Sequence, residues 1–195
     1  MLFRSNIMIP NNIISYQEGE NVFDPFPTNI VLLYNEDTRH LSSDWYSKMN
    51  TYGMVNNLKD DLYYKSFVDK LVEYANLYSQ RLYGISNIEP RSVRFNTQTK
   101  NTWDTPHLHD CPFTSVFYIT VPDGSGDINF IDYTIGHSLL MNLHEEQRQS
   151  RFYKRLSPRP GMFLFFPGYV PHEVEPTFSD MPRVSIVINY VRKTK

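Results

Sequence analysis

The sequence predicts a mainly β domain buttressed by helix, on three observations. Seven short segments between residues 91 and 191 combine β-branched and aromatic residues and are separated by turn residues. A single earlier segment, 59–83, carries apolar residues at helical spacing. Aromatics reach 15 % of the chain, with Tyr 14 and Phe 13, and such rings suit pleated, half-buried surfaces. A run of short strands after one helix points to a β-sandwich or barrel resting on that helix. At 195 residues the expectation is one domain spanning 1–195.

In chain order, residues 1–22 are polar and irregular, an arm or an edge strand. Phe23–Ile30 leads into a short buried strand, Val31–Tyr34. Residues 36–58 are polar with scattered aromatics and read as loop with some helix. Across 59–83, Tyr63, Phe67, Leu71, Ala75, Tyr78 and Leu82 recur at steps of 4, 4, 4, 3 and 4, which is one stripe of a helix. Asn57 is its candidate cap, Asp60 and Asp61 suit its positive end, and Gly84 follows its C-terminus. The strands expected after Pro90 are Arg91–Thr97, Trp103–His109, Thr114–Val121, Asp127–Asp132, Gly161–Phe166, His172–Glu175 and Arg183–Val191. Pro122-Asp-Gly-Ser-Gly126 is a turn between two of them. The long polar stretch 133–157 interrupts the series and is the expected lid or substrate loop, with a short helix near Leu139–Lys154.

Composition narrows the partners. A net charge of −2 gives no reason to expect nucleic acid or a membrane surface. No stretch approaches the roughly 20 apolar residues of a membrane helix, and Met1–Pro10 lacks the apolar run of a signal peptide. The single cysteine, Cys111, excludes an intrachain disulfide and fits a reducing compartment, so a cytoplasmic location is expected. Nothing in the sequence indicates an oligomeric state.

The chemistry gathers in three places. His107-Leu-His109 puts two imidazoles one residue apart, and strand side chains alternate with period 2, so both rings face the same way, together with Trp103 and Thr105. Pro171-His172 follows a strongly apolar strand, Met162–Phe166, and a Pro-Gly-Tyr turn, so His172 is a third imidazole aimed at a defined place. Neutral imidazole is the commonest protein ligand for first-row metals. Eleven residues after His172, Arg183-Val-Ser185 sets a cation and a hydroxyl on one face of a strand whose other face is Val184, Ile186, Ile188 and Tyr190. Two readings stay open there. The polar face meets water, or it points inside a barrel, where an arginine fork holds a carboxylate bidentately. Tyr118 is a second candidate for that carboxylate. Metal plus carboxylate clamp suggests a redox enzyme with an acidic cosubstrate. Cys111 beside the motif is read as packing. The basic run Arg148, Arg151, Lys154, Arg155 and Arg159 is a solvated face or a contact for an acidic partner. His40, His137 and His144 are read as solvent-exposed.

The order and spacing of His107-x-His109-x5-Ser115-Val-Phe-Tyr118-x3-Pro122-x3-Gly126, Pro160-Gly161-x-Phe-Leu-Phe-Phe-Pro167-x4-His172 and Arg183-x-Ser185-x3-Asn189 resemble the 2-oxoglutarate/Fe(II) oxygenases common in bacteria and marine phages. Phe26-Pro27-Thr28-x-Ile30 resembles that family's opening strand. The resemblance implies a double-stranded β-helix, a cupin-like jelly roll with Fe(II) in its mouth, using 2-oxoglutarate and O2 to hydroxylate a substrate the sequence does not identify. It implies His107, His109 and His172 as metal ligands. It also implies Arg183 as holder of the distal carboxylate of 2-oxoglutarate, with Ser185 and Tyr118 beside it. The wider superfamily has a carboxylate where this chain has His109, so Asp110 is the alternative second ligand and Asp104 a more remote one. Two rival readings follow from that departure: a three-histidine metalloenzyme that does not use 2-oxoglutarate, and a jelly-roll binding protein without catalysis.

Overall fold

Strand β5, Phe113–Thr120, shows how the layers assemble. Phe113, Phe117 and Ile119 enter one apolar core, while Val116 and Tyr118 enter another on the opposite face. Its neighbour β8, Phe163–Pro167, divides the same way, with Phe163 and Phe165 on one side and Leu164 and Phe166 on the other. A strand buried on both faces reads as a continuous apolar run, which is what these segments are. Each fully buried Leu or Phe contributes roughly 1.5–3 kcal/mol relative to exposure.

The architecture is that of a computed structural model, which describes residues 13–15, 30–34, 36–52, 64–131 and 153–194. Two antiparallel sheets face each other across the second core. The larger has the order β1-β2-β8-β5-β10-β3, built from Ile13–Ser15, Val31–Leu33, Phe163–Pro167, Phe113–Thr120, Arg183–Arg192 and Ile88–Gln98. The smaller has the order β4-β9-β6-β7, built from Asp104–His107, His172–Val174, Ile128–Ile131 and Tyr153–Leu156. This is the expected β-rich jelly roll supported by helix. The seven strands expected after Pro90 are all present, with ends shifted by up to three residues, and the arm contributes an edge strand at Ile13–Ser15. Strand β7 was not expected, because it lies in the polar stretch assigned to a loop; residues 133–152 of that stretch are outside the described residues.

Among the described residues, two helices cover the outer face of the larger sheet. Helix α2, Lys65–Tyr83, buries Phe67, Val68, Leu71, Ala75 and Tyr78, the stripe its spacing predicts. Gly84 ends it in the left-handed conformation at φ 66°, with its N–H donating to Gln80 O at 3.0 Å. The helix starts at Lys65 rather than 59, with Tyr64 at its N-terminus making no side-chain cap bond. Asn57, Asp60, Asp61 and Tyr63 fall outside the described residues. Residues 36–58 need a larger correction, because Glu36–Tyr52 form a full helix, α1. Thr38, Leu41, Ser42 and Trp45 recur at helical spacing on its inner side. Two of those four are hydroxyl residues, so the apolar period is faint. Ser42 Oγ donates to Ile119 O at 2.8 Å, and Trp45 stacks on Tyr64 with ring centroids 4.7 Å apart.

Candidate metal and carboxylate site

The smaller sheet brings two histidines together by register, since His107 of β4 lies opposite His172 of β9. The pairing is irregular. Asp104 opposes Val174 and His107 opposes His172, so three steps on β4 match two on β9. That is a β-bulge, and Pro106, which has no N–H for the ladder, lies within it on an edge strand. The bulge corrects the expected alternation. Asp104 turns to the same side as His107, and both line one cavity, whereas Trp103 is 58 % exposed.

His109 lies past the end of β4, where a loop is fastened to the turn after β8. His109 N–H donates to Gly168 O at 2.8 Å and Gly168 N–H to Pro112 O at 3.1 Å. A Cβ at Gly168 would collide with the Cys111 carbonyl oxygen. Gly168→Ala is therefore expected to cost about 1–3 kcal/mol of stability and to shift His109. Thermal unfolding and metal titration check this, and native values for both would remove the turn from the role of holding His109.

The three imidazoles converge. Ring centroids are 4.3 Å apart for His107 and His172, 5.1 Å for His109 and His172, and 5.3 Å for His107 and His109. One ring nitrogen from each lies within 4.8 Å of the others. His107 Nδ1 is 2.8 Å from Thr105 O and His172 Nδ1 is 3.0 Å from Val170 O. A carbonyl only accepts, so Nδ1 carries a proton in both rings, which leaves Nε2 as the nitrogen that can face a metal. His109 and His172 are 8 % and 3 % exposed. Burial pushes the His109 pKa down to about 4, with His107 and the Arg94 guanidinium adding to it. Burial likewise pushes His172 down to about 3, opposed by its bond to Val170. Both rings are thus neutral near pH 7, the form that donates a lone pair to a metal. The donor set fits a first-row transition metal that accepts nitrogen ligands.

Arg183 resolves the two readings of its strand. Across the larger sheet Arg183 pairs with Gln98 and Ser185 with Asn96, and both side chains are buried, Arg183 at 2 % exposure. Its Nη1 donates to Gly126 O at 2.8 Å, and its guanidinium lies 5.6 Å from the centroid of the buried Tyr118 ring. Among the described residues no carboxylate is within ion-pair distance of it. Desolvation pulls its pKa down. A buried cation without an anion is costly unless an anionic ligand completes it. Arg183, Ser185, Tyr118 and all three histidines line one cavity of about 230 Å³.

Asp110 is not in this group. Its side chain is fully exposed and turned toward Arg91, 3.8 Å away. Other residues are, and of these the sequence raised only Asp104, as a remote ligand. Asp104 Oδ2 accepts from Asn96 Nδ2 at 3.2 Å and Gln98 Nε2 at 2.9 Å, tying β3 to β4 beside the histidines. Arg94 and Asn96 line the cavity from β3. Arg94, Asn96 and Gln98 sit at alternate positions of an 11-residue strand, a period-2 polar face that was a readable signal. Of the basic run, Arg155 is engaged with Asp127 and Glu175, while Arg148 and Arg151 lie outside the described residues. The Cys111 thiol donates to Phe113 O at 3.1 Å and is outside the histidine cluster. His40 is exposed beside Glu36, and His137 and His144 lie outside the described residues.

A family model described as "Putative 2OG-Fe(II) oxygenase" matches residues 93–189. No curated protein matches the sequence. Among solved structures, the viral collagen prolyl hydroxylase of Paramecium bursaria Chlorella virus-1 is similar at TM-score 0.60 and 12 % identity, over 91 % of this chain and 95 % of that one. A 2OG-Fe(II) oxygenase family oxidoreductase from Burkholderia pseudomallei gives TM-score 0.58 and 15 % identity, over 84 % of each chain. HygX from Streptomyces hygroscopicus, crystallised with nickel and 2-oxoglutarate, gives 0.56 and 10 %, over 86 % of this chain and 83 % of that one. At such identities these likenesses speak for the double-stranded β-helix fold.

Proposed function

The chain belongs to the 2OG-Fe(II) oxygenase family, and from that premise we propose that His107, His109 and His172 hold its Fe(II) while Arg183 receives the far carboxylate of 2-oxoglutarate. The observation that carries this assignment is a single cavity containing three convergent imidazoles and a buried guanidinium with no carboxylate at ion-pair distance among the described residues. Fe(II) held by these histidines would supply the oxidising power, with 2-oxoglutarate and O2 going to succinate and carbon dioxide as a substrate C–H bond is hydroxylated.

The chain's own residues bind, orient and exclude water. Thr105 and Val170 carbonyls fix the tautomers of His107 and His172. Phe166 and Phe130 pack against the His172 ring at centroid distances of 5.1 and 5.9 Å, keeping that side of the site dry. The Gly126 carbonyl and the Tyr118 face hold the Arg183 fork in place before any ligand arrives, so less ordering remains to be done on binding. Ser185, one position along the same face, offers a hydroxyl to the same carboxylate. Three neutral ligands leave the iron more positive than two histidines and a carboxylate do, which strengthens its hold on the anionic cosubstrate.

Adding Fe(II) and 2-oxoglutarate without oxygen is expected to give the visible charge-transfer band of the chelate, and admitting oxygen is expected to release succinate. Iron binding with neither signal would overturn the assignment. Asp110→Ala is expected to keep native iron affinity, measured by the same titration, because its carboxylate points to Arg91; loss of iron in that variant alone would transfer the second ligand from His109 to Asp110. Among the described residues no helix is long and apolar enough to cross a membrane. The single cysteine supports a cytoplasmic enzyme.

A further inference from the structure

We propose that Arg94 anchors an anionic group, carboxylate or phosphate, on the substrate oxidised at this site. The inference rests on the functional assignment above and adds the substrate class. It begins with register. On the inner face of the larger sheet, β3 and β10 place Gln98 opposite Arg183, Asn96 opposite Ser185 and Arg94 opposite Val187. Four strand positions separate Arg94 from Gln98, roughly 13 Å at the usual rise. Arg183 and Arg94 therefore stand at opposite ends of the same cavity. A five-carbon diacid held on Arg183 by one carboxylate turns its other end toward the histidines. Its two charges are then taken by Arg183 and the metal, and Arg94, on the His109 side of the cavity, is the guanidinium left for a further anion.

Two further observations agree. Arg94 is exposed and lines the cavity, and no carboxylate of the described residues is within ion-pair distance of it. Asp104, the acidic side chain among the cavity's described lining, is occupied by the Asn96 and Gln98 amides. The charges of the loaded site also leave a surplus. The two negative charges of 2-oxoglutarate cancel the two of the iron, because the three imidazoles contribute none. Asp104 offsets one of the two guanidiniums, and among the described lining residues one positive charge remains. An anionic substrate group neutralises it, whereas a cationic one meets repulsion. The exposed Trp103 indole borders an open groove that reaches His107, offering an apolar face to the rest of such a molecule.

The test uses full-length protein loaded with nickel in place of iron and saturated with 2-oxoglutarate, titrated calorimetrically with benzoate, phenyl phosphate and, as the cationic control, benzylamine. At least one of the two anions is expected to bind, more weakly in higher salt, and benzylamine is not. Which anion binds more tightly distinguishes a carboxylate from a phosphate substrate. Arg94→Gln is expected to weaken that anion at least about tenfold, the scale of one charge-assisted hydrogen bond, while leaving 2-oxoglutarate affinity native. Native anion affinity in the variant, preference for benzylamine, or binding of none of the three would overturn the inference. So would a loss of 2-oxoglutarate affinity in Arg94→Gln, which would make Arg94 a cosubstrate contact. Native protein that takes up nickel but no 2-oxoglutarate would instead remove the functional assignment itself, and this inference with it.

Discussion

Alanine in place of His172 is expected to lower iron affinity by about a thousandfold or more, on the reasoning that a protein metal site is worth on the order of 10 kcal/mol and loses several with one of three ligands. His172 carries the largest single effect for structural reasons. It is the most buried of the three rings, at 3 % exposure, and contacts Phe130 and Phe166. Water cannot easily replace it as a ligand in that setting. His107 is only partly buried, so water can reach the gap its removal leaves. Anaerobic iron titration measures the effect, and circular dichroism tells whether β9 still pairs with β4 and β6. A folded His172→Ala variant with iron affinity within about tenfold of native would take His172 out of the site.

How much of this was legible in the sequence depends on which interactions are local. Strands β5, β8 and β10 could be read directly, since Phe113–Thr120, Phe163–Pro167 and Arg183–Arg192 are short segments rich in β-branched and aromatic residues between turns. Helix α1 could not, because its inward face uses Thr38 and Ser42, whose fit depends on a sheet formed far away in sequence, at Ile119. Strand β7 was hidden for a related reason. Its Arg155 looks like a solvated charge until Asp127 and Glu175 are brought beside it. The histidine cluster was legible from spacing plus the turn before His172. Asp104 was not, since strict alternation points it away and only the bulge at Pro106 turns it inward. Pro106 was nevertheless a visible warning that the ladder breaks there. Arg183 was ambiguous in principle: a polar strand face looks the same whether it meets bulk water or a lined cavity. Only the second sheet, closing over Arg183 and Ser185, decides between them.

Exchange of Arg183 for methionine separates binding from stability with opposite signs. Removing one partner of a buried, hydrogen-bonded charge pair costs about 2–5 kcal/mol of binding, so 2-oxoglutarate affinity is expected to fall roughly a hundred- to a thousandfold while iron affinity stays native. The protein without cosubstrate should behave otherwise. Its guanidinium is buried, donates to Gly126 O, and has no carboxylate of the described residues at ion-pair distance. Replacing an uncompensated buried charge with an apolar side chain of similar length removes a desolvation cost, so the unliganded variant should melt at the native temperature or above it. Cosubstrate then reverses the order. At a hundredfold excess over Kd it stabilises the native protein by about 2.7 kcal/mol, roughly 5–10 °C for a chain of this size, and the variant at the same concentration should keep at most about 0.4 kcal/mol of that. Thermal unfolding of both proteins, with iron and with or without 2-oxoglutarate, reads all four states. A variant that melts well below native without cosubstrate yet gains the full rise with it would make Arg183 a structural residue, and the cavity would need another holder for the far carboxylate.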